Sequence, residues 1–235
     1  MKIRCVWEHN GDDSIVYSDN YIGAFTRGRT KDLALGKMAG EVRAYLRWKN
    51  ESEPESLEIG IVQERLSELN IADADSDVLF EAEKGVLDPA EYEELKALAL
   101  RSAGDFLALY ESVPDKNRSV LPVRRTFYGQ APRTAFEMYE HTKNVNEYYF
   151  GEIGVEADNE GSILSCRARG FDLLEAQPGF LNNSVFAGSY GEEWTLRKLL
   201  RRFIWHDRIH AKAMHRMAVR TFGADAVPNL FQFAV

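Results

Sequence analysis

Apolar positions change their period once along the chain. Up to about residue 65 they alternate: KIRCVWEH and SIVYSD read as two strands, with the turn residues NGDD between them. Asp12 and Asp13 fall in that turn, where short polar side chains are wanted for the bend itself. After NYIGAFTRGR comes Thr30, a good N-cap. Leu35, Met38, Val42, Tyr45 and Leu46 then recur at spacings that share one helical face, to about Trp48. The acidic, proline-containing NESEPES reads as a surface connection and LEIGIVQER as a third apolar strand, giving the order β-β-α-β.

Residues 71–86, which include the acidic ADADSDVLFEAEKG, read as a linker with at most one helical turn. Beyond them the period is helical. A first helix opens with Asp88 as N-cap, Pro89 at its first position and Glu91 three after the cap, and turns Tyr92, Leu95, Ala99, Ala103, Phe106 and Tyr110 inward. A second starts near Pro132 and runs through FEMYEHTKNVNEYYFGEI. A third covers about 162–177, with Gly170 its weak point, and a fourth spans about 192–222, stopped by Gly223. Four striped helices predict a bundle. The fold class expected is therefore α+β: a small α/β domain over 1–70, a linker over 71–86 and an all-α bundle over 87–235.

Charge and composition narrow the function. The formal net charge of −8 argues against general affinity for nucleic acid or for an anionic membrane surface. No apolar run approaches the roughly 20 residues of a membrane span, and MKIRCVWEHN has no apolar h-region, so no signal peptide is expected. Cys5 and Cys166 fit no metal or redox spacing and read as two buried, reduced thiols of a cytoplasmic protein. A homodimer is only the generic expectation.

Three of the five histidines fall in WHDRIHAKAMH. Leu199, Phe203, His206, His210, Met214 and Met217 make one stripe of the fourth helix, so His206 and His210 lie one turn apart and face the core. On the second helix Met138, His141, Val145 and Tyr148 make a comparable stripe, which points His141 inward as well. Buried neutral imidazoles need partners for both nitrogens, and a shared metal ion supplies them; spacing alone leaves ordinary core histidines as the alternative. His215, half a revolution from His206, reads as a surface or capping residue. Asp207 is expected at the bundle edge, ion-paired with Arg208 or a neighbour. Arg208, Lys212, Arg216 and Arg220 form a row expected to be solvated or to dock the acidic linker or N-terminal domain. Glu137, one turn before His141, is a candidate base or hydrogen-bond partner for a ligand, and Tyr148 a candidate pocket-lining residue.

Two resemblances extend this reading. The paired N-terminal strands followed by NYIGAFTRGRTKDLALGKMAGEVRAYLRWKN resemble the HicB family, the antitoxin half of a class of bacterial toxin–antitoxin pairs. That resemblance implies a non-catalytic domain able to meet a protein partner; no basic DNA-binding segment follows it here. The runs GSYGEEWTLRKLLRRFIWHDRIHAKAMHRMA and MYEHTKNVNEYYFGEIG are similar to the DinB superfamily, over about 87–223. This implies a four-helix bundle in which His141, His206 and His210 bind a divalent metal, Zn or Ni foremost and Mn or Fe as alternatives. It also implies a thiol-dependent transferase or hydrolase acting on a small molecule with a low-molecular-weight thiol. The long, loop-flanked stretch between His141 and His206 departs from simpler members and implies a different pocket mouth. The competing expectation is a regulatory, partner-binding protein in which the metal only stabilises the bundle.

Overall fold

The computed structural model describes residues 1–234. The chain is mixed α+β, with a small N-terminal sheet followed by a region of five α-helices. It divides into two compact units: Met1–Ala82 joined by residues from Phe231 onward, and Glu83–Leu230.

In the first unit, β1 (Lys2–His9), β2 (Ser14–Ser18), β3 (Phe25–Gly28) and β4 (Glu58–Leu66) form one sheet in the order β3-β2-β1-β4. β1 pairs antiparallel with β2, and β2 with β3, whereas β4 returns parallel to β1. Helix α1 (Lys31–Lys49) makes that crossover. It begins where Thr30 accepts the N–H of Leu33 and ends where Asn50 turns left-handed at φ 59°. Sequence reading missed β3; its four residues are too few to show alternation. At the first turn Asn10 Oδ1 accepts the N–H groups of Asp12 and Asp13, so this acidic pair serves the bend.

The acidic stretch after β4 is not a free linker. Val78, Leu79 and Phe80 are buried, with Phe80 5.5 Å from the Tyr17 ring. Buried Glu8 accepts from Ser76 Oγ at 2.5 Å and from the N–H of Asp77 at 3.2 Å. A carboxylate lost from water needs such donors, and this segment adds two to the Tyr17 hydroxyl of β2. Phe231 closes the unit by stacking on Trp48 at 5.2 Å.

The second unit holds α2 (Pro89–Ser112), α3 (Ala135–Lys143), α4 (Val145–Gly151), α5 (Ile163–Glu175) and α6 (Leu196–Phe222). Two short hairpins interrupt them: β5 (Arg125–Thr126) with β6 (Gly129–Gln130), and β7 (Phe186–Ala187) with β8 (Glu193–Trp194). α2 starts at the Asp88 cap, whose carboxylate accepts the N–H groups of Ala90 and Glu91. The expected second helix is two helices, broken at Asn144. α6 starts at the Thr195 cap, later than expected, because residues 193–194 pair as a strand. Gly170 marks no weakness in α5: a Cβ there would lie 2.1 Å from Phe150, so its bare backbone lets α4 pack close.

α6 is the centre of this unit, packing on α2, α3 and α4. Its first half is buried nearly all round, and burial along this helix overturns three expectations. Asp207 is not at an edge. It is fully buried, bonded by Arg167 of α5, whose Nη2 lies 3.1 Å from Oδ1, and by Ser102 of α2. Arg208 is fully buried too, and the solvated part of its row is only Arg216 and Arg220, with Lys212 half-buried. His215 is buried rather than superficial. Periodicity identifies the apolar face of a helix; it is blind to a second polar face covered by other helices.

Candidate metal centre

His141 sits near the end of α3, and the start of that helix is held firmly. Thr134 Oγ1 accepts the N–H of Glu137, while Glu137 Oε2 accepts those of Thr134 at 3.0 Å and Arg133 at 2.8 Å. This is a capping box. The T-x-x-E spacing in Thr134–Glu137 was its signal in the sequence. Glu137 is therefore the acceptor for a helix end, and it lies outside the group of converging ligand atoms. Burial raises its carboxyl, but the two backbone N–H groups outweigh that and hold it below the usual carboxylate range.

α6 supplies His206 and His210 on adjacent turns. The three histidines converge so that one nitrogen from each lies within 4.8 Å of the others. Their ring centroids are 4.5 Å apart for His206 and His210, 4.7 Å for His141 and His210, and 5.2 Å for His141 and His206. His206 is buried, and its Nδ1 has no hydrogen-bond partner among the described residues. Burial drives its imidazolium well below the ordinary pKa, reinforced by His210, His141, Arg202 and Arg167 in turn. Burial lowers His141 as well. Both rings are thus neutral at physiological pH, with lone pairs available.

Aromatic rings wall the group. Tyr149 lies 6.0 Å from His206 and Trp205 6.2 Å from it; Tyr128, at the tip of the β5–β6 hairpin, stacks on His141 at 5.8 Å and 23°. The break at Asn144 changes the phase of α4, so Tyr149 is buried at 2% exposure while Tyr148 stands out at 37%. Tyr148 instead lines an open cleft of about 670 Å³ with Glu147, Glu152, Gly188 and Ser189. Neither Tyr149 nor Tyr128 was singled out as a neighbour of the histidines from sequence. An uninterrupted helix puts Tyr148 on their stripe, and a hairpin tip carries no periodic signal.

One turn before His206, the Arg202 guanidinium packs against three rings, 4.8 Å from Trp205, 5.5 Å from Tyr149 and 5.7 Å from Trp194. Arg167, paired with Asp207, lies 4.2 Å over the Phe203 ring. One turn further back, burial pushes the Lys198 amine down to about 8, against the pull of Glu192 2.9 Å away. Arg202 and Lys198 are thus packed in on the same helix as two of the histidines. The cysteines stand apart: both are free and buried, and burial with Asp19 pushes Cys5 up to about 12.

Three imidazole ligands suit a borderline divalent ion. Ligand nitrogens on one tetrahedral zinc lie roughly 3–3.5 Å apart, given metal–nitrogen bonds of about 2.0–2.1 Å. The present spacing reaches that by small side-chain rotations, and the orphaned Nδ1 of buried His206 shows a donor set with capacity to spare. No family model matches the chain, and neither a curated protein nor a solved structure matches it. No helix is long and apolar enough to cross a membrane.

Proposed function

We propose that His141, His206 and His210 bind one divalent metal ion, Zn or Ni foremost, in a DinB-like four-helix bundle whose second helix is the α3–α4 pair. The protein is then a metal-dependent transferase or hydrolase that uses a low-molecular-weight thiol on a small electrophilic substrate. The observation that carries the reading is the convergence of three histidine nitrogens within 4.8 Å, with no carboxylate in the group. Three protein ligands leave positions open, as catalytic sites do. Bound there, the ion supplies Lewis acidity that lowers the pKa of a coordinated thiol or water.

The chain's own residues do the rest. His206 and His210 are held one turn apart by α6, and His141 is aimed at them by α3. Tyr149 and Trp205 keep water from the buried side, and Arg202 adds positive potential that favours an anionic ligand. No acid is assigned as a base, because Glu137 is engaged at its helix end. The sheet unit, HicB-like in its order of elements, is proposed as an accessory module able to meet a protein partner. Two free thiols accord with a cytoplasmic setting.

The test is metal content by inductively coupled plasma mass spectrometry on protein purified without chelator. The His206→Ala, His210→Ala double variant is measured beside it. Near-stoichiometric metal in the wild type and its loss from a folded variant are expected. A folded wild type that takes up no Zn, Ni, Mn or Fe on incubation refutes the proposal.

A further inference from the structure

The connection from α2 to α3 is out of character with the rest of the molecule. Across residues 116–134 stand Lys116, Arg118, Arg124, Arg125 and Arg133, and no Asp or Glu, in a chain whose net charge is −8. The stretch is also greasy: Val120 and Val123 are exposed. Lys116 and Arg133 serve the loop itself, donating to the carbonyls of Glu111 and Leu121, and Arg118 lies over Phe222. Arg125, at the base of the β5–β6 hairpin, makes no ion pair among the described residues.

The hairpin tip is stranger still. Thr126 pairs with Gly129, leaving Phe127 and Tyr128 as the two central turn residues. Neither has positive φ, whereas Gly129 does at 114°. Turn positions ordinarily favour Gly, Asn, Asp or Ser, which supply unusual φ or bond the local backbone. Here they carry two aromatic rings, packed edge to face at 4.9 Å and left 53% and 43% exposed. Turn geometry does not call for them. What distinguishes the place is the neighbour: the Tyr128 ring stacks on His141, one of the three converging histidines.

We propose that this hairpin is the substrate-selecting rim of the histidine centre, and that its ligand is a small aromatic anion, an aryl carboxylate class of molecule. Its charged end meets the metal and the arginine-rich rim, and its ring lies against Tyr128. The proposal rests on the metal-binding reading above and adds to it the chemistry of the substrate. The electrostatics match: a divalent ion, Arg202 one turn before His206 and Arg125 on the hairpin that carries Tyr128 all favour an anion. The aromatic match follows from the exposed face of Tyr128, since a planar ring covers it with favourable stacking and removes apolar surface from water.

The experiment uses the whole protein loaded with Co(II), whose visible bands report ligands entering the open positions. Benzoate and acetate are titrated into wild type and into Tyr128→Ala, Tyr128→Phe and Arg125→Gln variants. Wild type is expected to bind benzoate about 5- to 20-fold more tightly than acetate. Tyr128→Ala should shrink that ratio about fivefold, with acetate binding to the same variant as the internal reference. Tyr128→Phe, which keeps the ring, should preserve the ratio, and Arg125→Gln should weaken both anions about two- to fivefold. Absence of Co(II) bands in folded wild type overturns the metal reading and this one with it. Normal Co(II) bands with the same benzoate-to-acetate ratio in wild type and Tyr128→Ala overturn this inference alone.

Discussion

Replacing Asp207 with leucine should be among the most damaging single changes in the helical unit. Both partners of the Arg167–Asp207 pair are fully buried, and the carboxylate also takes a hydrogen bond from Ser102. In Asp207→Leu the hydroxyl keeps an acceptor, the carbonyl of Ala99 at 3.1 Å, so it is not the casualty. Arg167 is. Its guanidinium keeps only the Ala99 carbonyl at 3.2 Å and the face of Phe203 at 4.2 Å. A cation–π contact contributes about 0.5–2 kcal/mol, far short of the desolvation of a buried cation. Removing one member of a buried pair costs about 3–5 kcal/mol, which lowers Tm by roughly 10 °C for a unit of this size. Replacing both, Asp207→Leu with Arg167→Met, removes the stranded charge and should return stability to within about 1 kcal/mol of wild type. The readout is far-UV circular dichroism at the helix band in urea, since five of the six α-helices belong to this unit. The coupling energy comes from the four-cornered cycle. Losses that simply add would show that the pair is not the unit of stability, and the reasoning fails. Metal content in the double variant should match wild type, because the pair supports α6 without entering the ligand group.

Burial, assisted by Arg216, lowers the pKa of His215 below its ordinary 6.5. A folded-state pKa below the unfolded one means stability that is complete above about pH 6.5 and lost as pH falls toward the folded value. His215→Leu should therefore flatten the decline of Tm between pH 7 and 5; an unchanged slope would refute this. Glu137→Ala removes the acceptor of two backbone N–H groups and should cost about 1 kcal/mol by urea titration while metal stoichiometry stays intact. Loss of metal without loss of stability would return Glu137 to the site.

Local signals account for what was legible beforehand. The caps at Thr30 and Asp88, the proline at position 89 and the stop at Gly223 act within one turn, and the observed helix ends follow them. The stripes of α3 and α6 were enough to bring His141, His206 and His210 together, because a 3–4 period on a core helix determines where a side chain points. What escaped depends on partners distant in sequence. Asp207 reads as an edge residue until Arg167 and Ser102 arrive from two other helices. The acidic stretch 71–86 reads as a linker until Glu8 needs the donors of Ser76 and Asp77. The interruption at Asn144 carries no proline or glycine to announce it, and it decides which of two adjacent tyrosines borders the histidines.

The stacking of Phe231 on Trp48 has a consequence for how the molecule is made. The sheet unit is discontinuous in sequence: the helical unit, Glu83–Leu230, is inserted between its two parts. During synthesis the strands and α1 leave the ribosome first, yet the aromatic ring that covers Trp48 is still to be translated. At about 5–20 residues per second, the sheet waits on the order of ten seconds with that indole uncovered, while every helix is made and has time to pack. The domain that begins first is therefore the one that finishes last.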